Sequence, residues 1–108
     1  MPKAAKKVQT KTTRRIYAAL KGAFPELPDE PERVVYQYIP GAIRVRIVSS
    51  QFRGKSMAER EEMVNVAFDA LPPEVTENIT MQFMLTPYEA KRPTGLDREF
   101  DDPTGEYL

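Results

Sequence analysis

Two cations flank a glycine just before a predicted helix, and this short segment is one of two candidate sites in the chain. Arg53, Gly54 and Lys55 directly precede Ser56. The free amides of a helix N-terminus favour anions, so these cations predict a contact with an anion or an acidic partner. The alternative, which we favour from this pair alone, is two solvated charges at a turn. The triplet Gly54-Lys55-Ser56 also matches the end of a nucleotide-binding P-loop, but the first glycine of that motif is replaced by Ser49.

Tyrosines and arginines in two neighbouring predicted strands form the second candidate site. Tyr36 and Tyr38 share one face of the first strand, and Arg44 and Arg46 share one face of the second. If the strand register places these faces side by side, the surface is aromatic and basic, as in single-stranded nucleic-acid platforms. The alternative is that the two tyrosines pack beneath a helix with their hydroxyls at the edge, and we favour it.

Residue types that are missing exclude several kinds of chemistry. The chain contains no cysteine and no histidine, which removes the common ligands of zinc, copper and iron–sulfur clusters together with thiol and imidazole catalysis. No calcium-loop pattern is present, and no pair of carboxylates stands in an apolar setting suited to acid–base work. We therefore predict no metal, no cofactor and no enzymatic activity.

A strand and a helix must position the segment Arg53-Gly54-Lys55, named here the cationic turn. Ile43, Val45 and Ile47 alternate with the two arginines, which predicts a strand with one apolar face. Ser56 and Glu59 have the spacing of a capping box, which places the helix start at Ser56. Gly54 supplies a residue that tolerates positive φ between the two elements.

The remaining chain predicts a helix, a hairpin, a strand and a short closing helix. We expect the first helix over 13–23, capped by Thr12 or Thr13, and a first strand over 33–39 that turns at Pro40-Gly41. The helix after Ser56 should end at Pro72-Pro73, and residues 74–77 form a short bridge. A last strand over 78–85 has one predicted apolar face, and Thr86 caps a short helix that ends near residue 91. That predicted face consists of Ile79, Met81, Phe83 and Leu85.

Charge is distributed unevenly along a chain of 108 residues whose net charge is zero. We expect a disordered basic arm over 1–11, one domain over 12–91 and an irregular acidic tail over 92–108. Composition is that of a soluble protein, and the N-terminus lacks the apolar stretch of a secretion signal, so a cytoplasmic location is the default expectation. The segregation of charge could steer an anionic partner.

The segment Phe52-Arg53-Gly54-Lys55-Ser56, followed by Arg60 and by Met63-Val64, resembles the central motif of the BolA family, FxGKSxxxRHxxV. Thr86-Pro87-Tyr88-Glu89 is similar to the closing TPxE of that family. The resemblance covers roughly residues 13–91. It implies a compact α/β fold related to the type II KH domain, ordered α-β-β-α-(short turn)-β-α, with a three-stranded mixed sheet covered by helices on one side.

The BolA resemblance also implies a partnership with monothiol glutaredoxins, in which histidine and a second ligand hold a shared [2Fe-2S] cluster. In this chain Glu61 replaces the histidine after Arg60, and the last strand begins with Asn78 or Ile79 where the ligand histidine would stand. The hairpin loop, reduced to Pro40-Gly41, offers no second ligand. The cluster chemistry is therefore not expected here.

Two classes of function follow from these observations. The first is a non-enzymatic BolA-like domain that binds or regulates a protein partner without metal ligands of its own. The alternative is a KH-like protein that binds DNA or RNA through the basic strand and turn. A KH domain contacts nucleic acid with a GxxG loop, and this chain has no GxxG sequence.

Overall fold

The computed structural model describes residues 7–92 and Phe100, and residues 7–92 contain four α-helices and three strands. Their order confirms an α/β fold with a three-stranded mixed sheet. None of the helices in these residues is long and apolar enough to cross a lipid bilayer. The elements in chain order are α1 (Lys11–Ala23), β1 (Val35–Ile39), β2 (Ala42–Val48), α2 (Met57–Phe68), α3 (Pro73–Thr76), β3 (Ile79–Leu85) and α4 (Pro87–Ala90), with 3-10 turns at Pro31–Arg33 and Ser50–Phe52.

The sheet has the strand order β1-β2-β3. β1 and β2 form an antiparallel hairpin, and Gly41 takes the positive φ of 80° that its tight turn requires. β3 lies parallel to β2 on the other side. Two parallel strands need a long crossover, and α2 and α3 supply it.

The main core lies between one face of the sheet and the two long helices. Ile43, Val45 and Ile47, the predicted apolar row of β2, are each at most 1% exposed. They pack with Ile16 and Leu20 of α1 and with Val64 and Phe68 of α2. Both long helices therefore cover the same face of the sheet.

The start of α1 differs from the prediction because the residues before it pair with the sheet. Val8, which we expected in a disordered arm, exchanges two backbone hydrogen bonds with Gln37 at N···O distances of 3.2 and 2.9 Å. This pairing holds the chain extended as far as Thr10, whose side chain accepts from the backbone N–H of Thr13. The N-cap is thus Thr10, and Thr12 lies inside the helix.

The end of α2 also differs from the prediction. The helix ends at Phe68, before Pro72-Pro73, because the chain tightens into short-range turns. The backbone N–H of Asp69 donates to Val66, and that of Leu71 donates to Phe68. Leu71 then packs against the core cluster.

The apolar residues of β3 are divided between the two faces of the sheet, contrary to the prediction of one apolar face. The pairing shifts by one residue at Thr80, since Ile43 lies opposite Ile79 whereas Arg44 lies opposite Met81. A one-residue shift moves every following side chain to the other face. Met84 therefore packs beneath the helices at 4% exposure, while Phe83 lies beside Arg46 on the opposite face.

Candidate functional site

The cationic turn lies between β2 and α2, as predicted, and both of its cations are exposed. Gly54 has a φ of 73°, which lets the chain reverse without a Cβ clash. The side chain of Ser56 accepts from the backbone N–H of Glu59 at 3.2 Å, and Glu59 accepts from the backbone N–H of Ser56 at 2.7 Å. The predicted capping box is confirmed, and it ties the turn to the first turn of α2.

The buried side chain of Arg60 forms a hydrogen bond to the backbone of the cationic turn from the protein interior. Its Nε donates to the carbonyl of Lys55 at 3.1 Å, and its Nη1 donates to the carbonyl of Met84 at 2.9 Å. Its guanidinium also lies 5.7 Å from the ring centroid of Phe52, which is fully buried. The turn is therefore anchored at both ends, and its exposed cations project from a fixed backbone.

Arg60 also pairs with a carboxylate on the closing helix, α4. Nη1 and Nη2 donate to the two carboxylate oxygens of Glu89 at 2.7 and 3.3 Å. Glu89 also closes the predicted capping box of α4 by accepting from the backbone N–H of Thr86 at 2.9 Å. The hydrogen bond from Arg60, aided by that from Thr86, lowers the pKa of Glu89 to about 2.

In the sequence, Arg60 stands out only as a residue of the BolA-like motif, and the motif gives it no role. The available signal was an arginine within the apolar series of α2, three residues before Met63. A cation at such a position is desolvated by folding and needs a partner. The identity of that partner could not be read from the sequence, because Glu89 follows 29 residues later.

A shallow depression extends from the cationic turn along α2. Its volume is about 290 Å³, and it is open to solvent. Val66 is 67% exposed, which is unusual for a valine. The lining residues are Lys55, Glu59, Glu62, Met63 and Val66.

The second candidate site lies on the face of the sheet opposite the helices. Tyr36 pairs with Arg44 across the hairpin, and the guanidinium of Arg44 lies 4.0 Å from the ring centroid of Tyr38. Arg46 follows on the same face of β2. The structure thus brings the two tyrosines and the two arginines to one face, which the sequence pattern left conditional on the register.

This face of the sheet is covered by Phe100, and it is not the open platform that a nucleic-acid strand would need. Tyr36 is 0% exposed and Arg44 is 8% exposed, so neither is accessible in this arrangement. The hydroxyl of Tyr36 donates to the backbone carbonyl of Phe100 at 2.6 Å. Phe100 belongs to the predicted acidic tail, of which only Arg92 and Phe100 lie within the described residues. The tyrosine is packed, as the alternative interpretation expected, and it lies beneath Phe100 on the face of the sheet opposite the two long helices.

The eight predicted site residues therefore form two groups. Arg53, Gly54, Lys55 and Ser56 are exposed at the start of α2, whereas the residues of the sheet face are largely enclosed. Within residues 7–92 and Phe100, no three acidic side chains cluster as a metal site would require.

No protein-family model matches the chain, and no curated protein matches its sequence. The BolA resemblance therefore depends on the motif residues and on the order of the elements.

Proposed function

We propose that this chain is a non-enzymatic binding domain that contacts a protein partner through the cationic turn and the adjoining depression on α2. The observation that carries the proposal is a contrast within one residue, Lys55. Lys55 has an exposed side chain, yet its backbone carbonyl accepts a hydrogen bond from the buried Arg60. A cation on an anchored backbone binds with little loss of backbone conformational entropy, which favours recognition.

The chemistry of the depression favours a protein over a nucleic acid. Beside Lys55, it presents the apolar side chains of Met63 and Val66 together with two carboxylates. A phosphate backbone would be repelled by Glu59 and Glu62 and would leave Val66 exposed to water. A protein surface with an acidic side chain next to an apolar one matches both parts.

Two of the three carboxylates with a lowered pKa in the described residues, Glu59 and Glu89, have structural partners. Glu59 and Glu89, in the described part of the chain, have their pKa lowered by hydrogen bonds, from the backbone of Ser56 and from Arg60 respectively. A general acid needs a raised pKa in order to hold its proton near neutral pH. These two groups instead stabilise helix starts.

A BolA-like identity is part of the proposal and has structural support. The element order agrees with the order that the resemblance implies, and Arg60 of the motif contacts Glu89 of the closing TPxE-like segment. A monothiol glutaredoxin is then the first defined protein to test as partner. Since the chain has no histidine or cysteine, we propose direct protein contact without a shared cluster.

DNA or RNA is the second candidate ligand, and the charge of the turn and of the strands before it supports this candidate. Arg53 and Lys55 are both exposed, and no acidic residue occurs between positions 33 and 55. If nucleic acid is the ligand, Lys55→Ala should weaken binding about equally for all sequences and flatten its salt dependence.

A retention experiment with matched variants tests the proposal. The wild-type chain, Lys55→Glu, Val66→Asp and the control Lys11→Glu are immobilised, and each is exposed to purified monothiol glutaredoxin and to lysate of the native cells. Lys11 is an exposed lysine on α1 and therefore controls for the change of charge. Labelled single- and double-stranded oligonucleotides at low salt form the second arm.

We expect the wild type and Lys11→Glu to retain the same protein, and Lys55→Glu and Val66→Asp to lose it. Equal retention by all four chains, or retention of no protein, would contradict the proposal. Oligonucleotide binding that is lost in Lys55→Glu but kept in Val66→Asp would assign the turn to nucleic acid instead.

A further inference from the structure

Phe100 packs against aromatic and cationic side chains on the sheet face opposite the two long helices, and the site that they form is named here the seat. Its ring centroid lies 4.9 Å from that of Tyr36 and 6.2 Å from that of Phe83. The guanidinium of Arg46 lies 4.9 Å from the Phe100 ring, and Nζ of Lys7 lies 5.5 Å from it. Phe100 is 0% exposed, so the seat encloses the whole ring.

The seat recognises a peptide group as well as a ring. The hydroxyl of the fully buried Tyr36 donates to the carbonyl of Phe100 at 2.6 Å. A buried hydroxyl without a partner is costly, so an occupant that brings a backbone carbonyl is favoured over one that brings only a ring. The contact therefore selects a phenylalanine within a polypeptide.

The charge around the seat selects acidic neighbours of that phenylalanine. Lys7 and Arg46 contact the ring, Arg44 lies on the same face, and none of the three strands contains an acidic residue. In the sequence, Phe100 is preceded by Glu99 and followed by Asp101 and Asp102. An acidic peptide thus complements the cations of the sheet face.

We propose that this sheet face is a recognition site for a short acidic peptide that carries one phenylalanine, and that Phe100 occupies it in cis. A partner peptide of the same chemistry then binds by replacing the chain's own tail. This site is separate from the cationic turn, and the proposal does not depend on the function assigned to that turn.

The geometry of the rings favours a peptide over single-stranded nucleic acid. The Phe100 ring is tilted by 58° to Tyr36 and by 71° to Phe83. A base platform offers its aromatic faces parallel to the bases. The tilted rings of Tyr36 and Phe83 fit a phenyl ring, because aromatic side chains favour edge-to-face contacts.

Occupation in cis has a measurable consequence. A tethered ligand competes at an effective concentration on the order of millimolar, so a peptide added in trans should bind the wild type at least about tenfold more weakly than a chain with an empty seat. Phe100→Ala, made in the full chain, empties the seat.

The experiment measures the binding of two labelled peptides by fluorescence anisotropy. The probe is DREFDDP, the sequence of residues 97–103, and its matched control DREADDP lacks the phenylalanine. The proteins are the wild type, Phe100→Ala, and Phe100→Ala combined with Arg46→Gln. We expect Phe100→Ala to bind DREFDDP at least about tenfold more tightly than the wild type, with the combined variant weaker and DREADDP showing no saturable binding.

Equal binding of the two peptides by folded Phe100→Ala, or no saturable binding of either, would overturn the proposal. Tighter binding of a single-stranded oligo-dT than of DREFDDP would overturn it in favour of nucleic acid. Should Phe100→Ala fail to fold by circular dichroism, Phe100→Leu keeps an apolar cover over the sheet and is tested with the same probes. Phe100→Leu that binds DREFDDP no better than the wild type would equally overturn the proposal.

Discussion

Arg60 on α2 and Glu89 on α4 form a two-point ion pair, with N···O distances of 2.7 and 3.3 Å. The arginine side chain is 9% exposed and the glutamate side chain is 42% exposed. The same guanidinium also donates to the backbone carbonyls of Lys55 and Met84. One side chain therefore connects the cationic turn, the end of β3 and the closing helix.

Arg60→Met should lower the free energy of unfolding by about 3 kcal/mol, because it leaves the buried carbonyl of Met84 and the partly buried carbonyl of Lys55 without their donor, and a buried unsatisfied group costs roughly 1–3 kcal/mol. Urea unfolding followed by circular dichroism measures the change. The control is Arg15→Met, an exposed arginine on α1, for which the change should stay within about 0.5 kcal/mol. Equal losses in the two variants would show that Arg60 does not connect these elements.

Acid should weaken the contribution of Glu89 to stability. Its pKa falls from 4.5 to about 2 on folding, so as the pH drops the unfolded chain takes up the proton first. The contribution is complete above the unfolded pKa and is lost progressively as the pH falls towards the folded value. Because Glu89 is 42% exposed, water screens the pair and reduces the size of the effect.

Glu89→Gln isolates this pH dependence. The difference in unfolding free energy between the wild type and Glu89→Gln should be largest near neutral pH and should shrink as the pH falls below the unfolded pKa. Urea unfolding across that pH range measures it, and the subtraction cancels contributions from other carboxylates. A difference that stays constant with pH would contradict the assigned pKa shift.

Two glycine substitutions should change stability in opposite directions. Gly54→Ala should destabilise the protein by about 1 kcal/mol, since an L-residue is strained at positive φ, here 73° with no atom within 4 Å of the added Cβ. Gly22→Ala, inside α1 with equally open space, should stabilise it by about 0.5 kcal/mol or more. Thermal unfolding distinguishes them, and a shift of the same sign in both would contradict the conformation of the turn.

Thr10→Ala should cost about 1 kcal/mol, because Thr10 caps α1. Thr12→Ala, at one of the two residues that the sequence predicted as a cap, should alter stability by less than about 0.5 kcal/mol. Urea unfolding compares the two variants directly. A larger loss of stability for Thr12→Ala than for Thr10→Ala would indicate that α1 begins at its predicted position.

Local chemistry made much of this fold predictable from the sequence. The alternation of Ile43, Val45 and Ile47 and the capping boxes at Ser56 and Thr86 involve residues within four positions of each other, and all three predictions are confirmed. The exposed cationic turn was also predicted, because it lies between two such local signals.

Tertiary structure alone decided which surfaces remain open. The pairing shift at Thr80 placed Phe83 beside Arg46, and Phe100, 64 residues after Tyr36, covers that face. Arg60 likewise finds its carboxylate 29 residues away. Periodicity and capping depend on neighbouring residues and can be read along the chain, whereas burial depends on which distant segments meet, and that is set only when the whole chain packs.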